Sequence, residues 1–124
     1  MIAKPKKKPS KTALRNKCDV LASRYYRALT PYCELNGLDR IACSGSLSWA
    51  HIFTRSIIHM RYEPYNHLIL CFAHHKYYTH NPIDWVRILE QHYPERLALA
   101  EQNRFSYAKV DYHAWIERFS TAQQ

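Results

Sequence analysis

A chain of 124 residues is one small domain with a tail, too short to bury a large core without help from metals, disulfides or partners. No apolar run suits a membrane span, and Met1 to Lys11 carries five lysines where a secretory signal would need an apolar stretch. A membrane protein and a disulfide-stapled secreted domain are therefore not expected; the four cysteines read as metal ligands or buried thiols in a reducing cytoplasm.

The formal charge of +8 is not spread evenly. Residues 1–30 hold nine Lys/Arg against one acid, and residues 31–124 hold nine of each. A basic tail on a neutral domain suits a polyanion through counterion release, with nucleic acid the first expectation and a solubilising or membrane-surface patch the alternative. Residues 1–10 are proline- and lysine-rich and are expected to form a disordered arm. From Lys11 to Leu29, Leu14, Cys18, Leu21, Tyr25 and Ala28/Leu29 recur at three- and four-residue steps, which predicts a helix over 11–30 with Arg15, Arg24 and Arg27 on its outer, phosphate-facing side. Thr30-Pro31 ends it.

Leu38 to Trp49 mixes turn pairs (Asn36-Gly37, Ser44-Gly45) with short apolar pieces, the texture of a β-hairpin or knuckle. Ser48–Thr54 reads as a short strand carrying His51, Arg61–Asn66 as a loop, and Leu68-Ile-Leu-Cys71 as the lead into a helix holding His74 and His75. Asn81-Pro82 reads as an N-cap and first-turn pair before a helix with Trp85, Ile88 and Leu89. Pro94 opens another with Leu97, Leu99 and Ala100, and Asp111 caps a last one with Trp115, Ile116 and Phe119. Neither repeats nor a second domain are visible.

Six of the eight histidines fall between His51 and His80, denser than core packing alone would produce. Cys33, Cys43, Cys71 and His74 form Cys-x9-Cys followed by Cys-x2-His. Thiolate and imidazole are the donors tetrahedral Zn²⁺ prefers, and four protein ligands close a site and make it structural. The alternative is a set of buried thiols, which is the expected role of Cys18 on the first helix.

Outside that set stand His51, Asn66 and His75. With Cys33-Glu34-Leu35, Cys43-Ser44-Gly45, Trp49-Ala50-His51 and Cys71-Phe72-Ala73-His74-His75 following one another, residues 31–83 resemble the HNH, or ββα-metal, endonuclease family, in particular its small phage-type members. The resemblance implies an α+β fold: a ββα-metal core with a short hairpin, stapled by zinc and surrounded by helices, with residues 84–124 a helical scaffold. It implies a metal-dependent DNA endonuclease in which His51 is the general base, Asn66 holds the loop and orients His51 through its amide, and His75 ligates a catalytic divalent ion, Mg²⁺, Mn²⁺ or Ni²⁺.

The chain departs from many members in having Ala50 where a metal ligand precedes the base. His80 is the nearest replacement, although five residues from His75 is a poor helical spacing for one metal; otherwise it is an exposed cap of the helix end. Arg55, and less so Arg61 and Lys76, are candidates for phosphate contacts, with an Arg55–Glu63 ion pair the other reading. His59 and His67 have no matching role and are expected at the surface or hydrogen-bonded in the core. Ala50 keeps a second class open, a catalytically inactive zinc-stapled module that binds nucleic acid or a protein. DNA is the expected partner, and a homodimer or a phage or host protein partner is compatible with the same residues.

Overall fold

The computed structural model describes residues 8–121, so most of the expected arm lies outside the described residues. Ser10 opens helix α1 (Lys11–Leu29) by accepting the Ala13 N–H on its hydroxyl at 3.1 Å, satisfying a donor that the first turn cannot. Cys18, Ala22 and Tyr26 form its buried edge. This stripe is one residue off the expected one at its end, leaving Leu29 exposed. Arg24 and Arg27 face solvent as expected, and Arg15 is half-buried.

Two strands, β1 (Leu47–His51) and β2 (His67–Cys71), pair antiparallel with Leu47 opposite Cys71 and His51 opposite His67. Because side chains alternate along a strand, the pair separates two cores. Trp49 and Ile69 pack against Cys18, Ala22 and Tyr26 of α1 and Phe119 of α5 (Tyr112–Thr121). Ala50, Leu68 and Leu70 pack against Tyr78 of α2 (Phe72–His80) and Ile88 and Leu89 of α3 (Pro82–His92). Helix α4 (Pro94–Asn103) follows α3, and short 3₁₀ turns at Ile58–Met60 and Pro64–Asn66 shape the connection between the strands.

The α+β expectation is therefore borne out: among the described residues there are five α-helices and one two-stranded sheet. Two local expectations need correction. Residues 38–46 are bends and irregular backbone, which excludes the hairpin of the hairpin-or-knuckle expectation; residues 68–71 do lead into the helix with His74 and His75, and 67–71 is in addition the strand that pairs with β1. Asn81 does precede α3, but its amide donates to the Tyr77 carbonyl at 2.8 Å and so closes α2 instead of capping α3. Asp111 does cap α5, accepting the Ala114 N–H at 3.1 Å. No described helix is long and apolar enough to cross a membrane.

Candidate metal centre and histidine cleft

Cys33 follows α1, Cys43 lies in the irregular segment before β1, Cys71 ends β2 and His74 stands in the first turn of α2. Their four donor atoms lie within 4.8 Å of one another. The His74 Nδ1 is 3.6 Å from Cys33 Sγ, 3.6 Å from Cys43 Sγ and 3.1 Å from Cys71 Sγ. A tetrahedral ion with Zn–S near 2.3 Å and Zn–N near 2.0 Å requires sulfur–nitrogen edges of about 3.6 Å. The set fits a metal ion of that kind.

The proton positions agree. His74 Nε2 lies 2.8 Å from Asp39 Oδ1; the carboxylate can only accept, so Nε2 carries the hydrogen and Nδ1 is left with the lone pair a metal needs. Asp39 is itself held by the Tyr78 hydroxyl at 2.6 Å and the Ile41 N–H at 3.0 Å. Burial works against its charge, but the hydrogen bonds from Tyr78, His74 and Ile41 outweigh it and keep the carboxyl below its usual range. Two of the neighbouring thiols are driven in opposite directions. Burial and the neighbouring Cys33 and Cys71 push Cys43 up to about 12, whereas Cys71, where burial is outweighed chiefly by donors from His74 and Ser44, falls to about 6. A divalent cation at this point would stabilise the thiolate form of its sulfur ligands.

Gly45 makes the approach of the Cys43 loop possible. Its φ of +82° is a conformation that side chains rarely adopt, and a Cβ there would lie 2.5 Å from that of Phe72, the first residue of α2. The Ser44 carbonyl then accepts the Ala73 N–H at 3.1 Å, docking the turn on the helix that carries His74.

The next residue, His75, shares a cleft of about 250 Å³ with His51; Ala50, Thr54, Thr79 and Trp85 also line it. His51 Nε2 donates to the Arg61 carbonyl at 2.9 Å. A carbonyl has no proton to give, so the neutral ring keeps Nδ1 unprotonated. His75 has the opposite tautomer: the Ser48 hydroxyl donates to the Leu70 carbonyl at 3.2 Å and accepts from His75 Nδ1 at 2.7 Å, leaving Nε2 as the free base. Burial first, then the charges of Arg55, His67 and Arg61, push His51 down to about 4 against the opposing pull of the Arg61 carbonyl. Burial and Arg55 also lower His75. Both imidazoles are thus neutral at pH 7.

No family model, characterised protein or solved structure matches this chain. What the cleft can do follows from its own residues.

Asn66 is fully buried and ties down the loop after β1. Its carbonyl oxygen accepts the Phe53 N–H at 2.8 Å, and its amide donates to the Phe53 and Met60 carbonyls at 3.3 and 3.2 Å. The expected direct hold on His51 is corrected: Asn66 fixes Met60, and the neighbouring Arg61 supplies the carbonyl that orients the ring. Arg55 is exposed, with its guanidinium 5.7 Å from the Trp49 ring centroid, and among the described residues no ion pair joins it to Glu63. Arg61, expected at phosphates, is 9% exposed and paired with Asp19 through Nε at 2.8 Å and Nη2 at 2.5 Å. It is a structural residue here, because Asp19 already occupies the planar fork.

Lys76 is exposed on α2 and outside the cleft. His80 lines a separate depression with Asp84 and Arg87 and is not brought to His75. Among the described residues, the Cys₃His set is the one group of three or more possible ligands. His59 donates to the Asn103 carbonyl at 2.6 Å, and His67 is buried with Nδ1 unpartnered. Cys18 is a fully buried thiol as expected.

Sequence reading missed four residues: Asp39, Ser48, Asp19 and Glu34. Glu34 is buried, accepts the Ile69 N–H at 2.8 Å and pairs with Arg96 at 2.7 and 3.0 Å, fixing the Cys33 segment to β2 and α4. An acid directly beside a candidate metal ligand was the available signal for Glu34. For the other three there was none, since their partners are distant in sequence.

Proposed function

We propose that this protein is a metal-dependent HNH-type endonuclease that hydrolyses DNA phosphodiester bonds, built on a Cys₃His centre holding a structural Zn²⁺. The observation that carries the reading is the pair of complementary imidazoles in one cleft, His51 with Nδ1 free and His75 with Nε2 free. His51 takes a proton from water as the water oxygen bonds to phosphorus; the bond to the 3′ oxygen breaks and that oxygen takes a proton from solvent, leaving 5′-phosphate and 3′-hydroxyl ends. His75 Nε2 would hold the divalent ion, and a bound ion supplies neutralisation of the charge growing on the phosphoryl and leaving oxygens. Arg55 stands exposed near both histidines and is the cleft's cation for the incoming phosphate, while Arg24 and Arg27 of α1 and the lysines before it grip the backbone without reading sequence.

The hydrophobic Ala50 supports a second reading. With one imidazole as its protein ligand, the metal depends on water and substrate phosphate for the rest, an arrangement Mg²⁺ accepts in other phosphate sites; if that is too weak, the protein binds DNA without cutting it. Supercoiled plasmid incubated with Mg²⁺, Mn²⁺ or Ni²⁺ separates the two. Nicking that needs the added metal and disappears in His51→Ala establishes the nuclease, and salt-sensitive binding without cutting by the zinc-loaded protein establishes the binding module. Omitting the metal is a better control than EDTA, which would also strip the structural site.

A further inference from the structure

Beyond the histidine cleft, the segment between α4 and α5 presents aromatic rings to solvent that nothing in the fold uses. Phe105 is 63% and Tyr107 77% exposed, and their centroids lie 6.5 Å apart. Tyr107 has φ +52°, the one positive φ at a non-glycine residue among those described. A bulky residue in that region is strained, and here the strain accompanies a ring that buries little. Arg104 lies over Phe105 at 4.5 Å and Phe53 at 5.2 Å from their centroids, the second ring belonging to the loop that Asn66 fixes, and its Nη1 also reaches the exposed Glu101 carboxylate at 3.6 Å.

Arg104, Phe105 and Tyr107 line a depression of about 390 Å³ together with Ser56, Ile58 and His59. Ile58 also lines a neighbouring depression of about 610 Å³ with Lys11, Lys109 and Tyr112, so the two adjoin across its side chain. The acid of this lining, Asp111, is engaged in capping α5. A second copy of a +8 chain would bring like charge to like charge here. Aromatic faces interleaved with Arg104, Lys11 and Lys109, against the single acid Asp111 in the lining, instead match an unpaired nucleic-acid strand, whose bases stack on rings while its phosphates meet the cations.

We propose that the Phe105–Tyr107 trough binds single-stranded nucleic acid, with unpaired bases stacked on the two rings and the backbone running toward Lys109 and Lys11. The proposal deepens the nuclease reading by making the substrate one with an unpaired segment, and rests on that reading only for the statement that the bound strand is substrate. Phe53 is two residues from His51, so a strand seated at Arg104 is about 15 Å or less from the cleft, a span of a few nucleotides.

The test is fluorescence anisotropy with labelled oligo(dT) of about 16 residues and a blunt duplex of the same length. It uses zinc-loaded full chain with no other divalent ion, so it is independent of cleavage. The Phe105→Ala/Tyr107→Ala double variant should bind oligo(dT) about tenfold or more weakly and leave duplex affinity nearly unchanged, because paired bases are not available to stack. Phe105→Trp and Tyr107→Phe should retain binding. Lys109→Gln should lower the slope of log affinity against log salt for oligo(dT) by about 0.7.

Unchanged oligo(dT) affinity in the double variant, or an equal loss on duplex, overturns the proposal. A concentration-dependent dimer dissolved by Tyr107→Ala would overturn it in favour of a second copy. A protein that cuts no DNA but shows the aromatic-dependent binding keeps this inference and loses the nuclease; plasmid cutting with an indifferent double variant does the reverse.

Discussion

Asp39 touches no sulfur, yet removing it should weaken metal binding. Its Oδ1 accepts from His74 Nε2 and thereby fixes Nδ1 as the ligating nitrogen, while its charge raises the basicity of the ring. Removing such a partner costs about 10- to 100-fold in metal affinity, equivalent to about 1.4–2.7 kcal/mol. Asp39→Asn retains an oxygen that can accept from Nε2 but loses the charge, so it should fall near the lower figure and Asp39→Ala near the upper. Asp39→Ala also deprives the Tyr78 hydroxyl and the Ile41 N–H of their acceptor, which costs about 1–3 kcal/mol more whether or not metal is bound. Two measurements separate these effects: competition for Zn²⁺ against a colorimetric chelator, and urea unfolding of the metal-free chain if it folds. Cys71→Ser provides the reference for a lost ligand. A folded Asp39→Ala protein with zinc affinity within about twofold of wild type, outside the range for such partners, would refute the assignment of Asp39 to the metal centre.

His51, pushed down to about 4, should put the acid limb of kcat/KM, measured on short oligonucleotides, near pH 4 rather than ~6.5; the limb of kcat should lie higher, because bound phosphate favours the imidazolium. The same shift, with that of His67 to about 4, makes the unfolded chain take up more protons than the folded one between pH ~6.5 and 4. Thermal stability should therefore fall as pH drops through that window, and His67→Gln should flatten the slope if it folds. Gly45→Ala should lose zinc and fold together, since both the φ and the contact with Phe72 are violated; a zinc-loaded, native-like circular dichroism spectrum would contradict this. Asp19→Ala strands the Arg61 charge in a largely buried position, and breaking such pairs costs about 3–5 kcal/mol. Chemical denaturation should show a loss of that order, and the Arg61 carbonyl that orients His51 should make cleavage fall more steeply than the folded fraction.

What the sequence made legible were residues whose chemistry is local or whose spacing is tight. Cys71-x2-His74 brings two donors to one point because the first turn of a helix does so whatever surrounds it, and α1 was readable because its apolar steps follow the helical period. The lead of 68–71 into α2 was legible but its strand character was not, because all five residues of 67–71 are buried: a strand covered on both faces loses the alternation by which it would be recognised. Arg61 looked like a surface cation for a similar reason, since its partner Asp19 stands 42 residues away and nothing in a linear reading pairs them. Ser48 and Asp39 were unreadable as site residues because each acts by fixing the tautomer of a histidine, a role set by a contact in space and by no motif.

The Cys₃His set and the histidine cleft share one strand pair and one helix start, so on the proposed nuclease reading an ion bound at the first would act on the second. Cys71 ends β2 and its Sγ accepts the His74 N–H at 3.5 Å, so the ion's ligands set the angle at which α2 leaves the sheet, and His75 is the next residue along. On the other side, β1 carries both Ser48 and His51, and its register with β2 places Ser48 opposite Leu70, the residue whose carbonyl takes the Ser48 proton and so fixes the His75 tautomer. The positions of the two imidazoles thus depend on one strand pair and one helix N-terminus, both held by Cys33, Cys43, Cys71 and His74. In so small a chain the core alone is marginal, and partial loss of the ion should disturb His75 before the distant packing of α1 on α5 responds. The Cys43→His variant, which keeps four donors but replaces a sulfur with a longer side chain, should therefore reduce cleavage while Trp49 and Trp115 fluorescence, read in a Trp85→Phe background because Trp85 lines the cleft, stays native; simultaneous loss of both signals would show instead that the two cores fold as one cooperative block.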